Sequence, residues 1–281
     1  MKNLIINADD FGLFSTINSG IIKGFQDGVI TSTSIMSTAC YFDDAVNFAL
    51  QNPGLGVGIH LTLVGETPVC SLRKVSSLIT EQEKFFSKYP QFLWRFITQQ
   101  IKLIEIKTEF SAQIEKVIQA GITPTHLDSH QHLHILPGVI DIVIELAKHY
   151  KIAAIRIPDE DYFFTGKFPF SFSRMLGRNG LTLLARAARR KGTKYGIQMP
   201  DHFFGMLAGG NMSEEYLLNI IKILPSGTSE IMIHPGEDDC ELENQFCWNY
   251  NWQAELSAAT SPQVTQSIQR NKVRLISFGE L

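Results

Sequence analysis

Carboxylate, imidazole and guanidinium side chains follow five of the short apolar runs in this sequence of 281 residues. They are Asp9 with Asp10, His60, the segment 126–134, Arg156 and His234. In parallel α/β proteins the functional site lies at the carboxyl ends of the strands. If the apolar runs are parallel strands, these groups converge on one rim. Their joint placement indicates a site more strongly than any one of them does alone.

The adjacent carboxylates Asp9 and Asp10 have two interpretations. A lone Asp-Asp pair usually forms a turn or caps a helix. At a strand end, neighbouring side chains point in different directions, so one carboxylate can bind a metal while the other accepts a proton from water. The triplet Asp10-Phe11-Gly12 also matches a protein-kinase motif, but the glycine-rich nucleotide loop and the catalytic loop of that class are absent.

Histidine is concentrated in segment 126–134, which holds four of the eight histidines of the chain. On an extended strand, residues two apart share a face, so His130 and His132 could both face the site. His126 and Asp128 share that parity, so the pattern alone does not select the ligands. His60 by itself is more typical of a hydrogen-bonded core histidine. One aspartate with two histidines is nevertheless a common ligand set for a divalent metal.

The elements that must position these groups alternate between β-like and helical patterns, which is typical of a parallel sheet with crossover helices. Seven strands are predicted, at residues 4–6, 29–36, 56–60, 124–128, 153–157, 230–233 and 273–276. Helices are predicted at residues 17–25, with Thr16 as the N-cap, and at 42–50, 109–119 and 138–149. Residues 158–229 show no clear pattern. We expect one domain over residues 1–281, folded as an α/β protein with a complete or incomplete (β/α) barrel.

The composition excludes several classes of protein. With 44% hydrophobic and 19% charged residues, the chain can bury a sizeable core. A net charge of −3 argues against a nucleic-acid partner. No apolar stretch approaches the roughly 18 residues of a membrane span, and the N-terminus lacks the pattern of a signal peptide. The four cysteines form no Cys-x-x-Cys pair, which favours reduced thiols and a cytoplasmic location.

Four motifs carry a resemblance to a known family. They are Asn7-Ala8-Asp9-Asp10-Phe11-Gly12, Gly58-Ile59-His60-Leu61, Thr125-His126-Leu127-Asp128-Ser129-His130-Gln131-His132 and Ile233-His234-Pro235-Gly236. Together they resemble the motifs of the YdjC-like carbohydrate deacetylases. The middle region, with Asp201-His202-Phe203-Phe204-Gly205 and a helix at 212–224, looks closer to the hopanoid-associated branch of that family.

The resemblance implies an α/β fold with a deacetylase-type distorted (β/α) barrel and one divalent metal ion, Mg²⁺ or Zn²⁺. The family's metal ligands fall on Asp10, His60 and His130, and its general base falls on Asp9. His234 stands where the distantly similar NodB-type deacetylases place a histidine acid. Arg156 matches an arginine near the fifth strand that could hold Asp9 ionised and aimed. NodB-type enzymes take both histidine ligands from one motif, so only the YdjC-like ligand assignment is carried over.

The implied reaction is hydrolysis of the acetamide of an N-acetylated amino sugar, either in an oligosaccharide or linked to a lipid, with release of acetate. Asp128 is expected to orient a histidine, and His132 is the reserve ligand or a substrate-binding group. One alternative is a phosphoesterase, although such barrels typically open with His-x-His on the first strand. Another alternative is a non-catalytic module that binds glycans or lipids. Such a module would not need a base, a set of metal ligands and an acid, so the presence of all three argues against it.

Two further features bear on partners. Seven basic and no acidic residues lie in segment 174–194, after a segment that contains five phenylalanines at 163–172, and a second aromatic cluster spans 85–96. We interpret the aromatic residues as core or dimer-interface packing beside a solvated basic face, and we expect a homodimer. The alternative is a peripheral membrane contact, with apolar side chains beside a cationic amphipathic helix.

Overall fold

One sheet of eight parallel strands forms the centre of the protein. The computed structural model describes residues 1–281. The strands are β1 (Lys2–Phe11), β2 (Ser32–Ile35), β3 (Gly56–Leu61), β4 (His126–Ser129), β5 (Ala154–Ile155), β6 (His202–Phe204), β7 (Gly227–Ile233) and β8 (Val273–Leu275). Their order is β5-β4-β3-β2-β1-β7-β6, and β8 pairs with the first residues of β1.

Ten α-helices surround the sheet. They are α1 (Ser15–Gln26), α2 (Phe42–Gln51), α3 (Tyr89–Ile97), α4 (Leu103–Gln119), α5 (Val139–His149), α6 (Phe172–Lys194), α7 (Glu214–Ile223), α8 (Asp239–Phe246), α9 (Trp252–Ala259) and α10 (Pro262–Arg270). Short 3₁₀ turns occupy Leu72–Lys74, His130–Ile135 and Phe278–Glu280. No helix is both long and apolar enough to cross a membrane.

The sheet curls into an irregular ring. Beyond the last strands in the order, Ile155 donates to the carbonyl of Gln198 and Gln198 donates to that of Ala153, both at 3.0 Å. The chain that leads into β6 therefore meets β5, and these two hydrogen bonds close the ring. Because both faces of such a sheet are covered, β1 and β7 are almost continuously buried. The predicted distorted (β/α) barrel is confirmed.

The core consists mainly of one cluster of 68 buried residues, which extends from Leu4 to Val273. The helices contribute one apolar face each, as Ile17 and Ile21 do from α1 and Ile106, Phe110 and Ile114 do from α4. Spacings of three and four residues place these side chains on a common face, so the helices pack on the sheet and hold its strand ends in register.

Several predicted boundaries differ from those of the structure. The predicted N-cap Thr16 is wrong, because α1 begins at Ser15 and Phe14 occupies the cap position without a side-chain hydrogen bond. The predicted helix at 109–119 begins six residues earlier, at Leu103. The strand predicted at 29–36 is limited to Ser32–Ile35. The segment without a clear pattern contains α6, β6 and α7, and β6 has only three residues, too few to show an alternation.

Gly58 in β3 is needed for the close packing of the ring interior. A Cβ built on Gly58 would overlap the imidazole of His126 in the neighbouring strand. That imidazole is buried and stacks on Phe278, with ring centroids 3.7 Å apart. A side chain at position 58 would therefore displace a packed ring from the barrel interior.

We predict that Gly58→Ala lowers the free energy of unfolding by about 1–3 kcal/mol, as overpacking of a dense core does. The matched control is Gly180→Ala in α6, where a Cβ would meet nothing within 4 Å. That substitution should stabilise by up to ~1 kcal/mol, because alanine favours helix. Urea unfolding of both variants measures the effect, and an unchanged midpoint for Gly58→Ala would contradict this account of the packing.

Candidate active site

A pocket of about 410 Å³ opens at the carboxyl ends of the strands. Five of the eight residues that the sequence indicated line it, and they are Asp9, His60, His130, His132 and His234. The other three, Asp10, Asp128 and Arg156, lie buried beneath it. The strand ends thus bring all eight side chains to one side of the barrel, as expected for parallel strands.

A bulge in β1 brings the two neighbouring carboxylates to the same place. The pairing of β1 with β2 shifts register between Ala8 and Phe11, and Asp10 has a left-handed backbone with φ 67°. The result is that His60 Nε2 lies 3.4 Å from Asp10 Oδ1 and 3.9 Å from Asp9 Oδ2. On a regular strand these side chains would point to opposite faces.

Asp10, His60 and His130 form a cluster whose geometry suits a divalent cation. His130 Nδ1 lies 3.1 Å from Asp10 Oδ1, and one ligand atom of each of the three residues lies within 4.8 Å of the other two. An ion about 2.0–2.2 Å from each atom would separate its ligands by about 3–3.5 Å. One carboxylate with two imidazoles is also a common donor set for such ions. The residues present therefore fit a bound metal ion.

Asp128 orients the His60 ring. His60 Nδ1 donates to Asp128 Oδ1 at 2.8 Å, so Nε2 is the nitrogen that faces Asp10. Ser34 donates to the other oxygen of Asp128 at 2.8 Å, which fixes the carboxylate in turn. A histidine ligand held through its second nitrogen by a carboxylate is the usual arrangement at protein metal sites.

Buried negative charge dominates the electrostatics of this cluster. Burial disfavours the ionised form of Asp10, but His130 and His60 outweigh it and hold the pKa of Asp10 well below its usual range. Burial alone would lower the pKa of His60, yet the charges of Asp128 and Asp9 and the hydrogen bond to Asp10 raise it to about 10. Three carboxylates around one imidazole therefore favour a positive charge at this position.

Arg156 is fully buried and connects four strands. Its Nη1 and Nη2 donate to the two oxygens of Asp9, both at 2.7 Å, and Nη1 also lies 2.7 Å from Asp128 Oδ2. Its Nε donates to Glu230 Oε1 at 2.7 Å. Burial opposes the charge, but Asp128, Asp9 and Glu230 hold the pKa of Arg156 well above its ordinary value. The carboxylates of Asp9 and Asp128 are therefore already paired with the positively charged guanidinium of Arg156.

Glu230 is a participant that the sequence analysis missed. It lies in β7 and is fully buried, and its Oε2 has no hydrogen-bond partner. Burial raises its pKa to about 8, against the opposing charge of Arg156. One signal was available in the sequence, because a glutamate inside the otherwise buried strand Gly227–Ile233 requires a buried partner.

The histidine-rich segment does not continue β4. The strand ends at Ser129, and a 3₁₀ turn with left-handed Gln131 and His132 follows it. The expectation that His130 and His132 share the face of an extended strand is therefore wrong. His130 reaches the cluster, whereas His132 packs against Phe203 and its Nδ1 has no partner.

The other two histidines of the segment are held by protein groups below the pocket. The Nδ1 of His134 lies 2.6 Å from Ser129 Oγ, and its Nε2 lies 2.9 Å from the carbonyl oxygen of Arg156. The Nε2 of His126 lies 3.1 Å from Ser34 Oγ. These contacts leave neither ring free to serve as a ligand in the cluster.

His234 lies on the wall of the pocket, after the end of β7. Its backbone N–H donates to Glu255 of α9, and its Nδ1 is 3.9 Å from the same carboxylate. Burial raises the pKa of Glu255, with the neighbouring His234 acting in the opposite direction. Sequence reasoning missed Glu255, because nothing distinguishes it from the other polar residues of a helix.

Aromatic side chains form a further part of the wall. Trp248 and Tyr250 line the pocket together with Tyr89, and the Trp248 ring lies 5.6 Å from the His130 ring between centroids. Cys247 and Asn249, on either side of Trp248, both have left-handed backbones, with φ 53° and 54°. Such residues are uncommon, so the chain turns sharply on both sides of the tryptophan. No motif in the sequence indicated this wall.

Glu160 holds a loop on the rim of the pocket. It accepts hydrogen bonds from the backbone N–H groups of Gly205 at 2.8 Å and Leu207 at 3.0 Å. The same loop contributes Met206 and Gly209 to the pocket lining. Burial raises the pKa of Glu160 to about 7, although the backbone donors act in the opposite direction.

Comparisons with known proteins agree with this architecture. A sequence model of the family described as YdjC-like protein matches residues 3–270. A carbohydrate deacetylase from Thermoanaerobacter pseudethanolicus is 31% identical over the whole of both chains. A chitooligosaccharide deacetylase from Yersinia enterocolitica is 30% identical over 99% of each chain.

Among solved structures, a protein from Enterococcus faecalis, to which cellobiose-phosphate cleavage is provisionally attributed, has a similar fold. It superimposes with a TM-score of 0.77 at 26% identity, over 99% of this chain and 98% of that protein. The fold and the clustered side chains define an α/β-barrel protein with a carboxylate–imidazole site at its strand ends. The match over residues 3–270 then shows that the chain belongs to the YdjC-like family, which confirms the resemblance.

We predict that the effect of Glu160→Gln on stability depends on pH. An amide has one acceptor oxygen, so a backbone hydrogen bond of the rim loop is lost. Because the pKa of Glu160 is raised from 4.5 to about 7, its contribution to the free energy of unfolding is full below pH 4.5. It is lost as the pH rises through 7. The free energy of unfolding of wild type should therefore exceed that of Glu160→Gln by more at pH 4.5 than at pH 8. The change between the two pH values should be ~2–3 kcal/mol.

Urea unfolding at both pH values measures this difference. Glu81→Gln, at an exposed turn position, serves as the control for loss of one carboxylate. If the difference between wild type and Glu160→Gln is the same at the two pH values, Glu160 does not retain its proton in the folded protein, and its role at the rim has to be reassigned.

Proposed function

We propose that this protein is a metal-dependent carbohydrate deacetylase that removes the acetyl group from an N-acetylated amino sugar and releases acetate. The observation that carries the proposal is the position of Asp9, beside the cluster of Asp10, His60 and His130 and inside the same pocket. A base next to a metal-binding cluster suits hydrolysis of an unreactive amide, and binding alone would not require it. The names of the relatives support the same activity.

The proposed mechanism assigns each side chain one task. A divalent ion, Mg²⁺ or Zn²⁺, held by Asp10, His60 and His130 would lower the pKa of a water ligand and polarise the acetyl carbonyl. Asp9 accepts the proton of the attacking water. Arg156 fixes both oxygens of Asp9 and so positions the base. His234, which lines the pocket, donates the proton that the leaving amine requires.

Asp128 and His132 support this arrangement in different ways. Asp128 holds the His60 ring through Nδ1. His132 lines the pocket, and we assign it to substrate binding. The aromatic side chains of Trp248 and Tyr250 offer apolar faces against which a pyranose ring can pack, as expected for an amino-sugar substrate. The substrate is an oligosaccharide or a sugar linked to a lipid.

The contacts of the basic segment bear on the proposed partners. Four of its seven basic side chains bond to protein groups, namely Arg174, Arg178, Arg189 and Lys191. These contacts favour the interpretation that the segment packs within the protein. They argue against the interpretation that it forms a membrane-binding face. A cytoplasmic homodimer without a nucleic-acid partner remains our expectation, and contact with a membrane remains the alternative.

The activity is tested by product analysis. We expect metal-loaded protein to release acetate from N,N′-diacetylchitobiose or a related N-acetylglucosaminide, and to release no phosphate from p-nitrophenyl phosphate. A chelator should abolish acetate release, and added divalent metal should restore it. Phosphate release without acetate release would replace this proposal with a phosphoesterase.

We predict that the neighbouring carboxylates differ in their effects. Asp9→Asn should keep its metal and lose about 10²–10⁴-fold in kcat, because an amide is no base at neutral pH. Asp10→Asn should lose metal affinity first, with activity partly recovered at high metal concentration. Elemental analysis and acetate release measure the two properties separately, and Asp43→Asn, at an exposed position of α2, is the control for an unspecific loss of charge.

Two results would contradict this division of roles. Metal loss in Asp9→Asn together with a metal-replete but inactive Asp10→Asn would mean that the roles are exchanged. Near-normal turnover by Asp9→Asn would remove the proposed base altogether, since Asp10 is the only other carboxylate of the β1 motif.

A further inference from the structure

An apolar groove runs between α3 and α6, outside the site described above. Its volume is about 1070 Å³, and 11 of its 16 lining residues are hydrophobic. They include Leu93, Phe96 and Ile97 of α3 and Leu176, Leu181 and Leu184 of α6, and no charged side chain lines the groove. Nothing in the proposed mechanism uses this surface.

The groove adjoins the catalytic pocket. Tyr89 and Leu181 line both of them, so the two spaces meet at these side chains. The pocket side carries charged and imidazole groups, namely Asp9, four histidines and Arg174. Two adjoining spaces, one lined by charged and imidazole groups and the other by no charged side chain, match a molecule with a polar head and an apolar tail.

Two glycines keep the α6 wall of the groove open. Gly177 and Gly180 lie three residues apart in the helix, and a Cβ at either position would meet nothing within 4 Å. Glycine inside a helix costs about 1 kcal/mol relative to alanine. No neighbouring protein atom requires glycine at either position, because the space that a side chain would enter contains no protein atoms.

The rim of the groove exposes large apolar side chains. Leu176 and Leu183 are 63% and 66% exposed, and Ile97 on the opposite side is 66% exposed. An exposed apolar surface of this kind, next to a concave apolar space, is typical of a binding site for an apolar ligand.

We propose that the groove binds the hydrocarbon tail of an amphiphilic substrate whose N-acetylated sugar occupies the catalytic pocket. The inference rests on the proposed deacetylase function and narrows its substrate class. The tail is favoured over a second copy of the chain because the groove is concave and shares Tyr89 and Leu181 with the catalytic pocket. A hydrocarbon chain also needs no polar partner, and the groove provides no charged one.

The test compares two substrates with the same head group, methyl and octyl N-acetyl-β-D-glucosaminide, both below micellar concentrations. Each buried methylene increases affinity about fourfold. We therefore expect kcat/KM for acetate release to be at least ~100-fold higher for the octyl than for the methyl compound. Equal values for the two substrates would overturn the proposal.

Substitutions on α6 localise the effect. Gly180→Leu, or Gly177→Leu if the first variant folds poorly, fills the groove and should reduce the octyl-to-methyl ratio to below about 10. Ala187→Leu, which adds the same side chain at an exposed position of α6 outside the groove, should leave the ratio at its wild-type value. A wild-type ratio in both glycine variants would overturn the assignment to this groove.

Two further measurements separate the remaining outcomes. If neither compound releases acetate, the proposed function fails, and calorimetric binding of the same two compounds still tests the groove. The octyl compound should then bind at least ~100-fold more tightly than the methyl compound, and Gly180→Leu should abolish that difference. A dimer that Gly180→Leu converts to a monomer, with equal kcat/KM for both substrates, would assign the groove to a second copy and overturn the proposal.

Discussion

The buried guanidinium of Arg156 is the interaction on which the site depends. A fully buried charge is tolerated only when its partners and hydrogen bonds are complete, and here three carboxylates supply them. These carboxylates come from β1, β4 and β7, and Arg156 itself follows β5. One side chain therefore fixes the relative positions of four strands. The ring of strands and the charge cluster stabilise each other.

Arg156 also divides the acidic residues into two groups. Asp9, His60 and Asp128 lie close enough together to be a metal-binding group of their own. The guanidinium already bonds to both of those carboxylates, so a cation there would meet a positive charge at hydrogen-bonding distance. Asp10 has no contact with Arg156 and faces two imidazoles instead. The arrangement thus directs a metal ion towards Asp10 and keeps Asp9 available as a base.

Local sequence patterns predicted the barrel and the polar strand ends, because strands buried on both faces and helices with one apolar face leave clear signals. The bulge at Asp10 and the left-handed turn at His132 depend on pairing and packing between distant segments, which no local pattern shows. Glu230, Glu255 and Trp248 were missed for the same reason. Each of these side chains contacts a partner that is more than 20 residues away in the sequence.

The central claim, that Arg156 directs the metal ion to Asp10 and away from Asp9, is tested most directly by anomalous diffraction from crystals soaked with Mn²⁺ or Zn²⁺. The account predicts one peak at about 2.0–2.3 Å from a carboxylate oxygen of Asp10, from His60 Nε2 and from a ring nitrogen of His130. Asp9 should lie outside bonding distance, with both hydrogen bonds to Arg156 intact. A peak bonded to Asp9 and Asp128, with Arg156 displaced, would contradict it.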